Sequence, residues 1–182
     1  EGKKVCIGEE ESGTEQNALQ ILNAYGLNER LVDTVNLNYT DAAKKLKSGD
    51  IDAFFCTAGT PTRAITEISG DIKLIPIDGT VADRLTEQYN GYVKHTIKAN
   101  TYDGQTEDIE TLGVKMVLIA SDKMSDDRVK SITKNIFGNS NKFGFAKDDT
   151  FDMNFATENV TIPFHKGASE YYAENGVNVA TE

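Results

Sequence analysis

Gly8-Glu9-Glu10-Glu11-Ser12-Gly13-Thr14 is the stretch best suited to chemistry, because it follows an apolar run and opens directly into a segment of helical period. A helix start presents unpaired backbone N–H groups and the positive end of the peptide dipoles. Gly13 permits close approach, and the Ser12 and Thr14 hydroxyls add donors. Such a turn can hold a carboxylate or a phosphate; it is also what a plain capped helix start looks like. It is not a P-loop, because no Lys follows Gly13, and it is not a dinucleotide fingerprint, because the intervening GxG is absent.

A second turn of the same kind, Thr57-Ala58-Gly59-Thr60-Pro61, follows the third apolar run and opens another helix. In a doubly wound sheet the first and third strands flank the crevice, so two helix starts converge on one guest. That guest is an anion held without a lysine or arginine clamp. Arg63 either reaches the rim or is a solvated surface side chain. Asp78-Gly79 lies at the same sheet edge, although a DG pair is also a turn signal. The Glu9-Glu10-Glu11 run is a solvated loop or, if it faces the guest, a repellent to a second negative group and an attractor of amines. Nucleophilic catalysis finds little support: the only histidines, His95 and His165, read as surface or interface residues. Cys6 and Cys56 lack CxxC or Cys/His spacing and read as small buried residues.

These turns must be positioned by an α/β lobe. Val5-Cys6-Ile7 is a strand. Thr14 to Tyr25 is a helix with Ala18, Leu22 and Tyr25 on one face and Gly26 as its stop. Val32 to Leu37 is the next strand, and Thr40 caps a helix that ends at Ser48-Gly49. Ile51 to Cys56 is the third strand, and Pro61 takes the first position of a helix that runs to Gly70. Ile72 to Ile77 is expected as a fourth strand and Thr80 to Tyr89 as a fourth helix. Single helices alternating with strands at this spacing imply a parallel sheet covered on both faces. Tyr92 to Ile97 adds a further strand, and residues 98–111 read as a hinge. Leu112 to Ala120 is strand-like and apolar on both faces. Ser125 caps a helix whose buried face is Val129, Ile132 and Ile136. Residues 138–161 show neither period, and Ala168 to Asn175 is a short helix. Asn38-Tyr39-Thr40 and Asn159-Val160-Thr161 are glycosylation acceptors of consequence only in a eukaryotic secretory setting.

Composition narrows the function classes. With 29 acidic against 19 basic side chains in 182 residues, the net charge is −10 and no basic run forms a patch, which argues against nucleic acid and anionic membranes as partners. The longest apolar stretch, Met116 to Ala120, is far short of the roughly 20 residues of a membrane span. Without an initiator Met or a signal segment, the start reads as a processing site or the edge of a longer chain.

The order and spacing of several short motifs resemble the TAXI family of TRAP-transporter solute receptors. They are Gly2-Lys3-Lys4-Val5 leading to Gly8, Ser12-Gly13-Thr14-Glu15-Gln16-Asn17-Ala18, and Gly49-Asp50-Ile51-Asp52-Ala53-Phe54-Phe55 with Ala58-Gly59 and Pro61. Leu74-Ile75-Pro76-Ile77, Thr101-Tyr102-Asp103-Gly104-Gln105, and Ile162-Pro163-Phe164-His165-Lys166-Gly167-Ala168 with Tyr171-Tyr172 follow. One position departs: the family usually has Gly before the Ser-Gly-Thr turn, where Glu11 stands.

The resemblance implies a type II periplasmic-binding-protein fold, a three-layer αβα lobe over residues 3–97, a hinge over 98–111, and a return segment over 112–182 that belongs to a second lobe. It implies that the first lobe's N-terminal part precedes this chain, that the chain alone binds its ligand weakly or not at all, and that the exposed return segment promotes self-association. It further implies an extracytoplasmic receptor, in the periplasm or as a lipoprotein on a Gram-positive surface, that captures a small carboxylate (an amino acid, keto acid or dicarboxylate) for a TRAP permease subunit. No cofactor and no reaction are expected. Ser12, Gly13, Thr14, Thr57, Ala58, Gly59, Thr60, Asp78 and Tyr102 are the expected ligand residues. The competing class is a cytoplasmic ligand-sensing effector domain or a small-molecule enzyme on the same lobe, since such folds host unrelated functions.

Overall fold

The structure is a computed structural model that describes residues 2–28, 30–139, 142 and 152–181. It divides into two compact units, Glu1–Val114 and Lys115–Glu182. No helix among the described residues is long and apolar enough to cross a membrane.

The first unit is built on a parallel sheet in the order β2-β1-β3, formed by β1 (Lys3–Cys6), β2 (Val32–Val35) and β3 (Ala53–Phe54). Val5 lies opposite Thr34 on one side and Ala53 on the other, so β1 is central, and the first and third strands are neighbours. Strand alternation sends Val5 and Ile7 to one face and Cys6 to the other. Val5 and Ile7 pack with Ala18, Leu22 and Val32, which seats α1 (Gly13–Ala24) on that face. Cys6 packs with Ala42 and Ile51, which seats α2 (Tyr39–Ser48) on the opposite face. The result is a three-layer α/β arrangement with the core on both sides of β1.

Local chemistry sets the helix limits. Ser12 caps α1 by accepting from the Glu15 N–H, and Asn38 caps α2 by accepting from the Asp41 N–H. Gly49, in the left-handed region at φ 80, ends α2. The true cap of α2 is thus Asn38, two residues before the expected Thr40. The next helix, α3 (Arg63–Thr66), begins after Thr62, so Pro61 precedes it, joined to Thr60 by a cis peptide bond, and does not occupy its first position.

Residues 72–77 carry no strand. Pro76 has no N–H to give a ladder, and among the described residues the segment makes a single backbone bond, from the Ile77 N–H to the Glu110 carbonyl at 3.0 Å. After it comes α4 (Gly79–Gln88), whose fully buried Leu85 packs with Ile21 of α1 and Tyr92. Tyr92 opens β4 (Tyr92–Ile97), which pairs antiparallel with β5 (Ile109–Val114) over six residue pairs. The expected linker over 98–111 therefore holds a turn and the first three residues of β5. The strand expected over Leu112 to Ala120 stops at Val114 because Val114 faces Tyr92, the first residue of β4, and the partner ends there. Beyond it Met116, Leu118 and Ile119 are exposed.

In the second unit α5 (Asp126–Gly138) packs against α7 (Lys166–Glu174), with α6 (Met153–Thr157) between them in sequence. A Cβ on Gly167 would stand 2.1 Å from the Asp126 carbonyl oxygen, so this crossing requires glycine. Lys130 spans the pair to Glu174 at 2.7 Å, and Phe137 stacks on Tyr171 at 5.8 Å between centroids. Val129 is buried, but Ile132 is exposed: the packed stripe is Val129, Thr133, Ile136 and Phe137, at i, i+4, i+7 and i+8, and Ile132 falls beside it. Of the unassigned stretch 138–161, residues 140–141 and 143–151 lie outside the described residues.

Candidate functional site

Because β1 and β3 are parallel neighbours, the loops that follow them leave the sheet at the same edge. Gly8 begins the first loop at φ 102, packed so tightly that a Cβ would meet Thr14 Cβ at 2.8 Å and Ser12 Oγ at 3.0 Å. Its carbonyl accepts from Asn36 Nδ2 and from the Leu37 N–H, each at 3.1 Å. Glu11 takes φ 60, the left-handed conformation that a glycine would adopt freely. Its N–H donates to Glu15 Oε2 at 2.7 Å, and Asn36 Nδ2 donates to Glu15 Oε1 at 2.6 Å. The Glu15 carboxylate is thus held by Glu11 of the first loop and by Asn36 of the loop after β2.

Helix α1 spends its N-terminal donors unevenly. The Glu15 N–H goes to Ser12 Oγ at 3.1 Å and the Gln16 N–H to the Ser12 carbonyl at 3.2 Å. The Gly13 and Thr14 N–H groups have no hydrogen-bond partner among the described residues. Gly13 is exposed, and a Cβ there would meet nothing within 4 Å. Its glycine is therefore not demanded by protein packing and leaves the helix end open.

The second loop is tied to the first by Tyr39, the opening residue of α2. Its hydroxyl lies 2.6 Å from Thr14 Oγ1, donates to the Thr57 carbonyl at 3.0 Å and accepts from the Thr57 N–H at 3.1 Å. Asn17 adds a side-chain tie, from Nδ2 to Thr57 Oγ1 at 3.3 Å, and its Oδ1 lies 3.0 Å from the Tyr92 hydroxyl, whose one proton it shares with Gln20 Oε1 at 2.6 Å. At the far end of this loop the buried Tyr102 hydroxyl accepts from the Thr62 N–H at 3.0 Å; burial raises its pKa above the ordinary phenol value. The turn carrying Tyr102 is clamped by Gln105 Nε2, which donates to the carbonyls of Ile97, Lys98 and Glu107.

The structure thus brings Ser12, Gly13, Thr14 and Thr57 together, with Ala58 and Gly59 exposed beside Thr57 and Thr60 half-buried. Tyr102 touches the same loop from behind, through Thr62. Asp78 is exposed at the cap position of α4, where its side chain makes no capping bond, and no contact among the described residues joins it to the Thr14–Thr57 pair. Arg63 is 89% exposed and bound to Glu67 Oε1 at 2.6 Å, which makes it a surface side chain. His95 is exposed on β4. His165 caps α7: Nδ1 accepts from the Gly167 N–H at 3.1 Å, which assigns the proton to Nε2, 3.0 Å from the Met124 carbonyl. Burial pushes the Cys56 thiol up to about 11, which removes it as a nucleophile near neutral pH.

Tyr39, Asn17 and Asn36 escaped the sequence reading of the site. Asn17 stood inside a quoted motif, and Tyr39 inside an acceptor triplet read only for glycosylation. The usable signal was topological: the helix after the second strand also starts at the carboxyl edge beside the first.

This architecture, an α/β lobe whose loops gather at the carboxyl edge of a parallel sheet, fits the family to which the sequence matches. Residues 1–176 of the 182 match the NMT1-like family, which is of the periplasmic-binding type. The chain belongs to the NMT1-like family, and its fold is that of a solute-binding lobe.

Proposed function

We propose that the first unit captures a small carboxylate at the edge where β1 and β3 end, as the receptor component of a TRAP-type uptake system outside the cytoplasm, without chemical conversion. The observation that carries this reading is the pair of unspent N–H groups, Gly13 and Thr14, at the positive end of a 12-residue helix, beside a second loop held against it by Tyr39. Backbone donors and a helix dipole stabilise a carboxylate by charge and by geometry, and they need no cation to do so. The Ser12 and Thr57 hydroxyls stand ready to complete the cradle. Ala58, Gly59 and Thr60 belong to the proposed rim, Tyr102 supports their loop through Thr62, and Asp78 completes the proposed set.

The sign of the surroundings narrows the guest. Glu9, Glu10 and Glu11 are all exposed beside this helix start, and the net charge of the chain is −10. A second negative group on the ligand would be repelled, and an amine would be attracted. A zwitterionic amino acid or a monocarboxylate therefore suits this edge better than a dicarboxylate. The partner that follows from the reading is a membrane permease subunit to which the loaded receptor delivers its ligand.

A thermal-shift screen of the full-length protein against amino acids, keto acids and dicarboxylates tests the proposal. A ligand present at 100 times its Kd should add about 2.7 kcal/mol to stability. Stabilisation confined to one carboxylate class supports the reading, and a flat response across all three classes up to tens of millimolar contradicts it.

A further inference from the structure

We infer that Tyr39 is the positioning residue of this edge: its hydroxyl fixes the loop after β3 against the start of α1, and in doing so decides which donors a ligand can reach. The inference rests on the ligand reading above and deepens it. A phenol has one proton and two acceptor lone pairs. The single proton goes to the Thr57 carbonyl, 3.0 Å away, since that oxygen can only accept. One lone pair takes the Thr57 N–H at 3.1 Å. The contact with Thr14 Oγ1 at 2.6 Å must then run the other way, with the Thr14 hydroxyl donating to Tyr39.

All three hydrogen-bonding positions of the phenol are therefore filled by the protein, and two donors are withdrawn from any guest. The Thr57 N–H and the Thr14 hydroxyl proton are spent on Tyr39. What remains for an anion on the α1 side is the Gly13 and Thr14 N–H pair with the Ser12 hydroxyl proton, and on the other side the Thr57 hydroxyl proton and the N–H groups of Ala58 and Gly59, which are exposed. Thr57 Oγ1 accepts from Asn17 Nδ2, so its own proton is free to point outward. The loop after β3 thus offers an anion the Thr57 hydroxyl and the N–H groups that follow Thr57, and Tyr39 sets where that loop stands against α1. Thr57, Ala58 and Gly59 are exposed, so without the phenol the freed N–H and carbonyl of Thr57 turn to water and the loop loses its register.

The test compares wild type with Tyr39→Phe by amide NMR, using sodium acetate as the probe at constant ionic strength. Asn38→Ala serves as the control, because it removes the cap of the same helix without touching Thr57. In Tyr39→Phe the Thr57 amide should exchange with solvent faster before any acetate is added. The acetate concentration that half-shifts the Gly13 and Thr14 amides should rise roughly five- to tenfold, the worth of one net hydrogen bond. Asn38→Ala should lower the melting temperature while leaving that concentration unchanged. Unchanged Thr57 exchange in Tyr39→Phe, or an acetate response as strong as that of wild type, overturns the inference. If acetate fails to shift Gly13 and Thr14 in wild type, the ligand reading falls, and the exchange of Thr57 still decides the role of Tyr39.

Discussion

Replacing Gly8 by alanine should cripple the first loop, whereas the same change at Gly13 should be nearly silent for stability. At Gly8 the backbone sits at φ 102, beyond the left-handed well near +50 to +70° that L-residues tolerate. Holding a non-glycine residue in such a region costs about 1–3 kcal/mol. The new methyl would also lie 2.8 Å from Thr14 Cβ and 2.9 Å from Thr14 Cγ2, inside contact distance of a buried β-branched side chain. Forcing it in costs about another 1–3 kcal/mol. The stiffer unfolded chain returns only about 0.4–1 kcal/mol. Gly8→Ala should therefore lose about 1–5.5 kcal/mol; at about 3 kcal/mol, a chain of this length drops roughly 6–12 °C in Tm. Gly13→Ala meets open space and should stay within about 1 kcal/mol of wild type, with helix propensity in its favour. Differential scanning calorimetry of both variants is the assay. Equal losses at the two positions, or a Gly8→Ala variant as stable as wild type, would refute the reasoning from backbone angle and close approach.

Other expectations follow from the same geometry. Glu11→Gly removes a left-handed glutamate at φ 60 and should be neutral or stabilising by about 1 kcal/mol in urea titration, since the relief of about 1–2 kcal/mol exceeds the entropy added to the unfolded chain. Gly167→Ala drives a methyl to 2.1 Å from the Asp126 carbonyl, so amide protection in α5 and α7 should collapse while that of β1 and α1 persists. Cys56, with its thiol raised to about 11 by burial, should react with iodoacetamide at pH 8 at least about 100-fold more slowly than an unperturbed thiol, and its rate should keep climbing to pH 10 instead of levelling near 9. A raised folded pKa also means stability that is intact below the unfolded thiol value near 9.0 and is lost as pH climbs toward about 11. Alkaline denaturation should therefore ease in Cys56→Ala relative to wild type.

How far the molecule could be read before folding depended on whether the deciding interaction was local. The Gly26 stop, the Ser48-Gly49 stop and the alternation of short apolar runs with segments of helical period are set by residues a few positions apart, and that alternation implied the parallel sheet with helices on both faces. The segment from Ile72 to Ile77 failed as a strand because a ladder needs a donor at Pro76 that does not exist, a conflict visible in the residue itself. Val114, by contrast, ends its strand because Tyr92 happens to face it, and Ile132 is exposed because α7 meets the stripe one step away. Those outcomes are set by partners distant in sequence. The site divides in the same way. The convergence of Ser12–Thr14 with Thr57 followed from strand order, while Tyr39, which holds them together, is joined to Thr57 across 18 positions by a hydroxyl that no periodicity advertises.

The most direct test of the account is a residue-resolved amide NMR titration of the wild-type chain with glycine, pyruvate and succinate at matched ionic strength. The account predicts that the Gly13 and Thr14 amides move first and saturate together, and that the amino acid or the monocarboxylate outperforms the dicarboxylate. Ligand shifts that appear elsewhere while Gly13 and Thr14 stay fixed would contradict it.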